Sequence, residues 1–324
     1  MSSPTSISHR QIKVNGIDMH VAEQGKGPLV LMVHGWPELW YSWRHQIPAV
    51  AAAGFHAVAP DMRGYGRTEA PHDIGAYSIM HLVGDVVALV QALGEREAII
   101  VGHDWGATVA WSSLMMRPDI FRAGAVMSVP YRQRGPAPPL KIVRDAGLHT
   151  FYWIYFQEPG VAEAEFERDA AGTFRRLLAP KIDPASKRTS ALVLEPGRGF
   201  LDGIAASDKL PDWVTESDLA LMAGEFKRSG FRGGLNWYRN IDRNWELTAP
   251  WAGATIAQPT LFIAGTKDAV IRNPAGEASL KAMPQTVPGL KRQVLIEGGG
   301  HWIQQERPAE VNAALIPFLK DFAR

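Results

Sequence analysis

Nine residues, Ile99-Ile100-Val101-Gly102-His103-Asp104-Trp105-Gly106-Ala107, leave the chain around them few ways to fold. The β-branched run reads as a buried parallel strand. It stops at an acidic residue with a glycine two positions to either side, and a helical pattern follows from Thr108 through Met116. A strand that turns at once into a helix needs a sharp corner, and Gly102 and Gly106 remove the side chains that would obstruct it. Asp104, between them, is then held in a strained backbone conformation with its side chain exposed.

That corner has the layout of a nucleophile elbow carrying aspartate in place of serine. Serine needs a base to become nucleophilic and is suited to carbonyl carbon. A carboxylate is already ionised near neutral pH and can displace a leaving group at saturated carbon. The product is an ester of the protein itself, whose carbonyl water attacks with the help of a histidine base. Capping the helix that begins near Trp105 is an equally ordinary role for an aspartate, and this stretch alone does not choose between the two.

The rest of the chain supplies strands and helices in alternation. Gln11 to Val14 and Ile17 to Ala22 flank Asn15-Gly16, a hairpin signal. Pro28 to Val33 is a continuous apolar run ending in His34-Gly35-Trp36-Pro37-Glu38, and helical periodicity follows from Leu39 to Ala53. His56 to Pro60 is a short strand leading into Asp61-Met62-Arg63-Gly64-Tyr65-Gly66-Arg67-Thr68. Its Gly-x-Gly reads as a tight loop, because the third glycine of a dinucleotide site is missing and no helix opens on it. Met80 to Leu93 is helical, Ala98 to Val101 enters the elbow, and Phe121 to Val129 is a further strand. From Pro130 to Leu247 the rhythm breaks into helical segments, including an amphipathic one over Asp218 to Arg228, with aromatic clusters and polar loops. Alternation resumes at Pro259 to Gly265, then Gln293 to Ile296 and a last helix from Ala309 to Phe322. The expectation is an α/β protein with a doubly wound, mostly parallel sheet. Its core spans residues 1–130 and 248–324, and a helical insertion fills 131–247.

Composition narrows the function classes. A chain of 324 residues, 46% hydrophobic, is long enough for an elaborated catalytic domain. A net charge of +1 gives no reason to expect nucleic acid or a membrane surface as partner. The absence of cysteine excludes disulfides, thiol catalysis and zinc–thiolate sites. No apolar run reaches the roughly 20 residues of a membrane-spanning helix, and the stretch Met1 to Ser6 lacks the basic and apolar regions of a secretory signal. A soluble, cytoplasmic protein is expected.

Ligands of open parallel sheets bind beyond the carboxyl ends of the strands, and three candidate groups follow strands. Asp104 is one; Asp268 comes after the strand ending at Gly265; His301 comes after Gly298-Gly299-Gly300. Taken singly, Asp268 is plausible as a turn residue and His301 has many structural uses. Together they stand in the order nucleophile, acid, histidine of α/β-hydrolase triads. His34 and His103 read as supporting residues, and no histidine pair shows a familiar metal spacing.

At this point the sequence resembles the epoxide hydrolases of the α/β-hydrolase superfamily, those related to the soluble enzymes of mammals and bacteria, over nearly the whole chain from His9. The resemblance is carried by the stretches at His34 to Glu38, Arg63 to Thr68 and Gly102 to Gly106, by Tyr155-Phe156-Gln157-Glu158-Pro159-Gly160, by Gly230-Phe231-Arg232-Gly233 with Asn236-Trp237-Tyr238-Arg239-Asn240, and by Gly300-His301-Trp302. It implies an α/β-hydrolase fold whose insertion is a helical lid, with two lid tyrosines, Tyr152 and Tyr238, serving the epoxide oxygen; Tyr155 is the neighbour most easily confused with Tyr152. It also implies an oxyanion hole from the backbone N–H groups of Trp36 and Trp105, a small apolar epoxide and water as reactants, no metal or organic cofactor, and possible homo-oligomers. Phenols suit the task, since ring opening places negative charge on oxygen that they can hydrogen-bond and protonate. A haloalkane or fluoroacetate dehalogenase shares the aspartate, the histidine and the lid, and the two tyrosine motifs favour the epoxide. A catalytically silent binding protein on the same fold is the remaining alternative.

Overall fold

The computed structural model describes residues 6–322 apart from 179, 189, 206 and 208, so residues 1–5 of the stretch read for a leader lie outside the described residues. The chain divides into two compact units, one of Met1–Arg63, Ile79–Arg134 and Pro250–Arg324, the other of Gly64–Ser78 and Gly135–Ala249. The first opens with β1 (Ser8–Val14) and β2 (Ile17–Gln24), paired antiparallel. Asn15 and Gly16 between them both have positive φ, 44° and 81°, as a two-residue type I′ turn requires. β3 (Leu29–Val33), α1 (Gln46–Ala52), β4 (His56–Pro60), α2 (Ile79–Ala92), β5 (Ala98–His103), α3 (Trp105–Met116) and β6 (Phe121–Met127) follow. The helix expected over Leu39 to Ala53 is two pieces, a 3₁₀ turn at Trp40–Trp43 and then α1. Pro48 explains the break. It has no N–H to offer the Arg44 carbonyl, so no continuous helix passes through it, whereas in the first turn of α1 no bond is forgone.

The second unit holds the break in rhythm. Its helices are α4 (Pro139–Asp145), α5 (Tyr152–Tyr155), α6 (Val161–Glu167), α7 (Ala170–Leu178), α8 (Glu216–Ser229), α9 (Arg232–Arg239) and α10 (Ile241–Leu247). The amphipathic stretch is α8. Its first turn is closed by a capping box in which Thr215 accepts from the Asp218 N–H and Asp218 accepts from the Thr215 N–H. Phe156, Phe166, Phe174, Phe226 and Phe231 are buried and form the centre of the unit. Residues 64–78 join it because the guanidinium of Arg232 donates to the carbonyls of Ala70, Pro71 and His72, and Asn240 donates to that of Ile74.

Returning to the first unit, the chain adds β7 (Thr260–Gly265), α11 (Ala269–Arg272), α12 (Pro274–Thr286), β8 (Leu290–Ile296), α13 (Ile303–Glu306) and α14 (Pro308–Asp321). The eight strands order β1-β2-β4-β3-β5-β6-β7-β8. The pairs from β4 through β8 are parallel. Every residue of β3, β5 and β7 is buried, which is why these strands read as unbroken apolar runs rather than alternating ones. α12 had no counterpart in the sequence reading. Its apolar periodicity is weak and Pro284 lies inside it, but its start carries the expected chemistry, with Asn273 accepting from the Gly276 N–H and Pro274 at the first helical position.

Candidate active site

Asp104 sits at the corner between β5 and α3 with φ 53° and ψ −120°, a backbone conformation that L-residues rarely adopt. The corner closes only because its neighbours are glycine: a Cβ on Gly102 would lie 2.2 Å from the Gly106 carbonyl oxygen, and one on Gly106 would lie 2.1 Å from that of Val33. The carboxylate makes no capping bond to α3. Oδ1 instead accepts from the Trp36 N–H at 2.8 Å, and Oδ2 lies 3.4 Å from Nε2 of His301. Trp105 is the first residue of α3, so its N–H is among the donors that no intrahelical carbonyl can satisfy.

His301 Nδ1 lies 3.1 Å from each oxygen of Asp268. Asp268 is 1% exposed, so it is no surface turn; it also accepts from the Val270 N–H at 2.8 Å. The three groups expected from strand ends are therefore gathered into one ion-paired line, Asp104 to His301 to Asp268. Burial pushes the Asp104 carboxyl up, but the hydrogen bond and charge of His301, the charge of His103 and the Trp36 N–H outweigh it and hold the group below the usual carboxylate range. Asp268 is lowered against burial by the charge and hydrogen bond of His301 and by the Val270 N–H. Burial works against charge on His301, yet the charge of Asp268 and the hydrogen bonds to Asp104 and Asp268 raise it well above an ordinary imidazole. The resting line is an imidazolium between two carboxylates.

Beneath it lies a buried polar network. Glu38, 4% exposed, accepts from the Gly35 N–H, from His103 Nδ1 and from the side-chain amides of Gln304 and Gln305. Burial would raise Glu38, but the charge and hydrogen bond of His103 lower it. His103 Nε2 reaches the His301 carbonyl at 2.7 Å. Both of its ring nitrogens therefore face acceptors, one a carboxylate and one a carbonyl. The same carbonyl accepts from Ser128 Oγ, and Glu306 takes the N–H groups of Gly300 and Trp302. The loop bearing His301 is thus clamped on both sides. Ser128, at φ 68°, has no signal in the sequence; Glu38 and His103 each stand in a recognisable stretch, at His34 to Glu38 and at the elbow, but nothing in the sequence couples them. His34 is driven neutral chiefly by burial. Its Nδ1 lies against the Gly35 carbonyl while Nε2 accepts from the Met62 N–H, a supporting role.

Within the second unit, Tyr152 opens α5 and Tyr238 lies near the end of α9, their ring centroids 5.7 Å apart at 71°. Arg239 fastens the two motifs together, donating to the Phe156 and Glu158 carbonyls and to Glu163, while Gln157 donates to the Tyr238 carbonyl. Tyr155, by contrast, commits its hydroxyl to Glu165 at 2.8 Å, and burial with that carboxylate raises it strongly. A cavity of about 650 Å³ in this unit, lined among others by His72, Glu163 and Arg239, includes neither Tyr152 nor Tyr238. Among the described residues no cluster of three or more metal-ligating side chains occurs, and no helix is long and apolar enough to cross a membrane.

Residues 28–308 match the family described as the alpha/beta hydrolase fold, the class that the sheet and the ordered triad define. Epoxide hydrolase A of Mycobacterium tuberculosis is 46% identical, covering 98% of each chain, and epoxide hydrolase 2 of Siraitia grosvenorii is 42% identical, covering 98% of this chain and 99% of its own. The crystal structure of epoxide hydrolase A from Mycobacterium thermoresistibile superposes with a TM-score of 0.90 at 45% identity, over 97% of this chain and 98% of that one. The chain belongs to the epoxide hydrolases of the α/β-hydrolase fold family.

Proposed function

We propose that the chain converts an epoxide and water to a vicinal diol through a covalent ester on Asp104. The observation that carries this is the orientation of the Asp104 carboxylate, which turns away from its helix toward a backbone N–H and an imidazolium. Oδ2 attacks a ring carbon and the C–O bond breaks. Tyr152 and Tyr238 hydrogen-bond the departing oxygen and supply its proton. Oδ1, on the Trp36 N–H, becomes the ester carbonyl. His301, oriented by Asp268, then takes a proton from the water that attacks that carbonyl. The Trp36 and Trp105 N–H groups hold the oxyanion, each worth roughly 10²-fold or more in rate, and collapse releases the diol and restores the carboxylate.

Alkylating Asp104 also switches the base. The ester carries no charge, so His301 loses one of the two carboxylates that keep it protonated; its proton replaces the one given up by the tyrosines, and the neutral imidazole then takes a proton from the attacking water and passes it to the departing diol oxygen. In this reading residues 131–247 are the helical lid insertion and residues 1–130 and 248–324 the α/β-hydrolase core. The substrate is a small apolar epoxide and the setting is the cytoplasm; gel filtration reads whether the chain self-associates.

A single turnover in ¹⁸O-water, with enzyme in excess over styrene oxide, tests the scheme. Label in the Asp104 peptide with unlabelled diol is expected. Labelled diol with an unlabelled peptide refutes the covalent route.

A further inference from the structure

At the hairpin edge of the sheet, two histidines meet in a geometry that the hydrolytic chemistry does not use. His9 on β1 and His20 on β2 lie on one face of the hairpin, since the register pairs His9 with Ala22 and Gln11 with His20. His20 is 3% exposed and His9 is exposed. Nδ1 of His20 lies 2.8 Å from Oδ2 of Asp61. Asp61 is itself buried and fixed, its N–H donating to the His20 carbonyl and its Oδ1 accepting from the Trp40 N–H. The carboxylate, an acceptor, takes a hydrogen from Nδ1, which leaves Nε2 as the nitrogen facing His9. That nitrogen meets Nδ1 of His9 at 3.1 Å, with the two ring planes 6° apart.

We infer that His9 Nδ1 and His20 Nε2 form a two-histidine site for a borderline divalent ion, Cu²⁺ or Zn²⁺. Two imidazole nitrogens bound about 2.0–2.1 Å from one metal lie roughly 2.9 Å apart at a right angle and roughly 3.3 Å apart at the tetrahedral angle. The observed 3.1 Å falls between the two. At present a hydrogen bond spans the gap. On metal binding, the hydrogen on Nδ1 of neutral His9 moves to its Nε2, the freed lone pair turns toward the ion, and His9, on an exposed strand, supplies the tilt. Water completes the coordination sphere. A carboxylate on the far nitrogen of a ligating histidine is the usual outer partner, fixing the tautomer and raising ligand basicity, and Asp61 already holds that position. Imidazole nitrogen selects Cu²⁺, Zn²⁺ or Ni²⁺ over Mg²⁺ and Ca²⁺. Both histidines precede residues 28–308, the part matched to the α/β-hydrolase fold family. The ion would tie β1 to β2 and, through Asp61, to the end of β4.

The test uses the full chain without an affinity tag. With one equivalent of Cu²⁺, the electron spin resonance spectrum is expected to show hyperfine splitting from two imidazole nitrogens. That splitting is lost in His9→Ala and in His9→Gln and retained in His301→Asn, which controls for binding at the triad. Zn²⁺ alone, titrated by calorimetry, is expected to bind once per chain, with affinity weakened about tenfold or more in Asp61→Asn, the usual range for removing an outer partner. Circular dichroism checks that each variant is folded. Copper or zinc binding that is unchanged in both His9 variants overturns the assignment, and so does wild-type protein that takes up neither ion.

Discussion

Glu38→Gln exchanges one oxygen for an amide nitrogen at the centre of the network under His301, and its effect can be worked out atom by atom. Oε2 accepts from the Gly35 N–H and from His103 Nδ1, and Oε1 accepts from the amides of Gln304 and Gln305. The new nitrogen fits best at the second position, because Gln304 Oε1 is buried without a partner and its amide can turn to accept. The charge has no such remedy, since His103 keeps its acceptor at the His301 carbonyl but loses its counter-ion. Removing one partner of a buried ion pair costs about 3–5 kcal/mol. The turned amide recovers about 1 kcal/mol, leaving about 2–4 kcal/mol. At about 2–4 °C per kcal/mol, melting falls by about 4–16 °C, read by calorimetry at pH 7. The pH dependence follows from the lowered pKa of Glu38. A carboxylate with a folded pKa below its unfolded value stabilises fully above the unfolded value, and that contribution is lost as pH falls through the folded one. The gap between wild type and variant is therefore constant through neutral pH and closes on acidification below the ordinary glutamate value of 4.5. A variant melting within about 2 °C of wild type at pH 7, or a gap that persists unchanged in acid, would refute the charge assignment.

Other perturbations have equally direct readouts. Asp104→Asn removes one of the carboxylates that raise His301, so the imidazole should titrate at lower pH than in wild type by proton NMR. The raised value stabilises the fold below the unfolded histidine value of 6.5 and is lost as pH rises through the folded one, so the variant should also lose less stability than wild type on the alkaline side. His301→Gln should accumulate the Asp104 ester, visible as the mass of enzyme plus epoxide, and an active variant without adduct removes His301 as the base. Tyr152→Phe with Tyr238→Phe should abolish formation of that adduct while Tyr155→Phe preserves it; an active double variant rejects the assignment. Gly106→Ala drives a Cβ to 2.1 Å from the Val33 carbonyl oxygen, so urea melts should show a loss of about 1–3 kcal/mol or more.

The elbow was legible because its constraint is local: two glycines and an acid at fixed spacing describe a corner whatever surrounds it. Asp268 and His301 were legible as an ordered pair at strand ends, since a parallel sheet brings those ends to one side. Glu38 and His103 were visible as residues but not as a couple, because 65 positions separate them and only the adjacency of β3 and β5 brings them within 2.7 Å. The allegiance of residues 64–78 had no local sign at all. It depends on Arg232, some 160 residues later, reaching three carbonyls that any loop possesses. Pro48 did carry a warning about the helix through Leu39 to Ala53, overridden in the reading by the apolar spacing around it.

The backbone of Asp104 has a consequence outside chemistry. Its conformation costs an L-residue about 1–3 kcal/mol, and glycine would occupy it without the steric part of that cost. Strain on the backbone therefore favours Asp104→Gly, while the contacts of the carboxylate with the Trp36 N–H and with His301 favour the acid. At this codon strain pulls in one direction, and the ion-paired line with the reaction proposed for it pulls in the other. A descendant lineage freed from its substrate should keep the glycines at 102 and 106, which the fold needs for its own sake, whatever becomes of the acid between them.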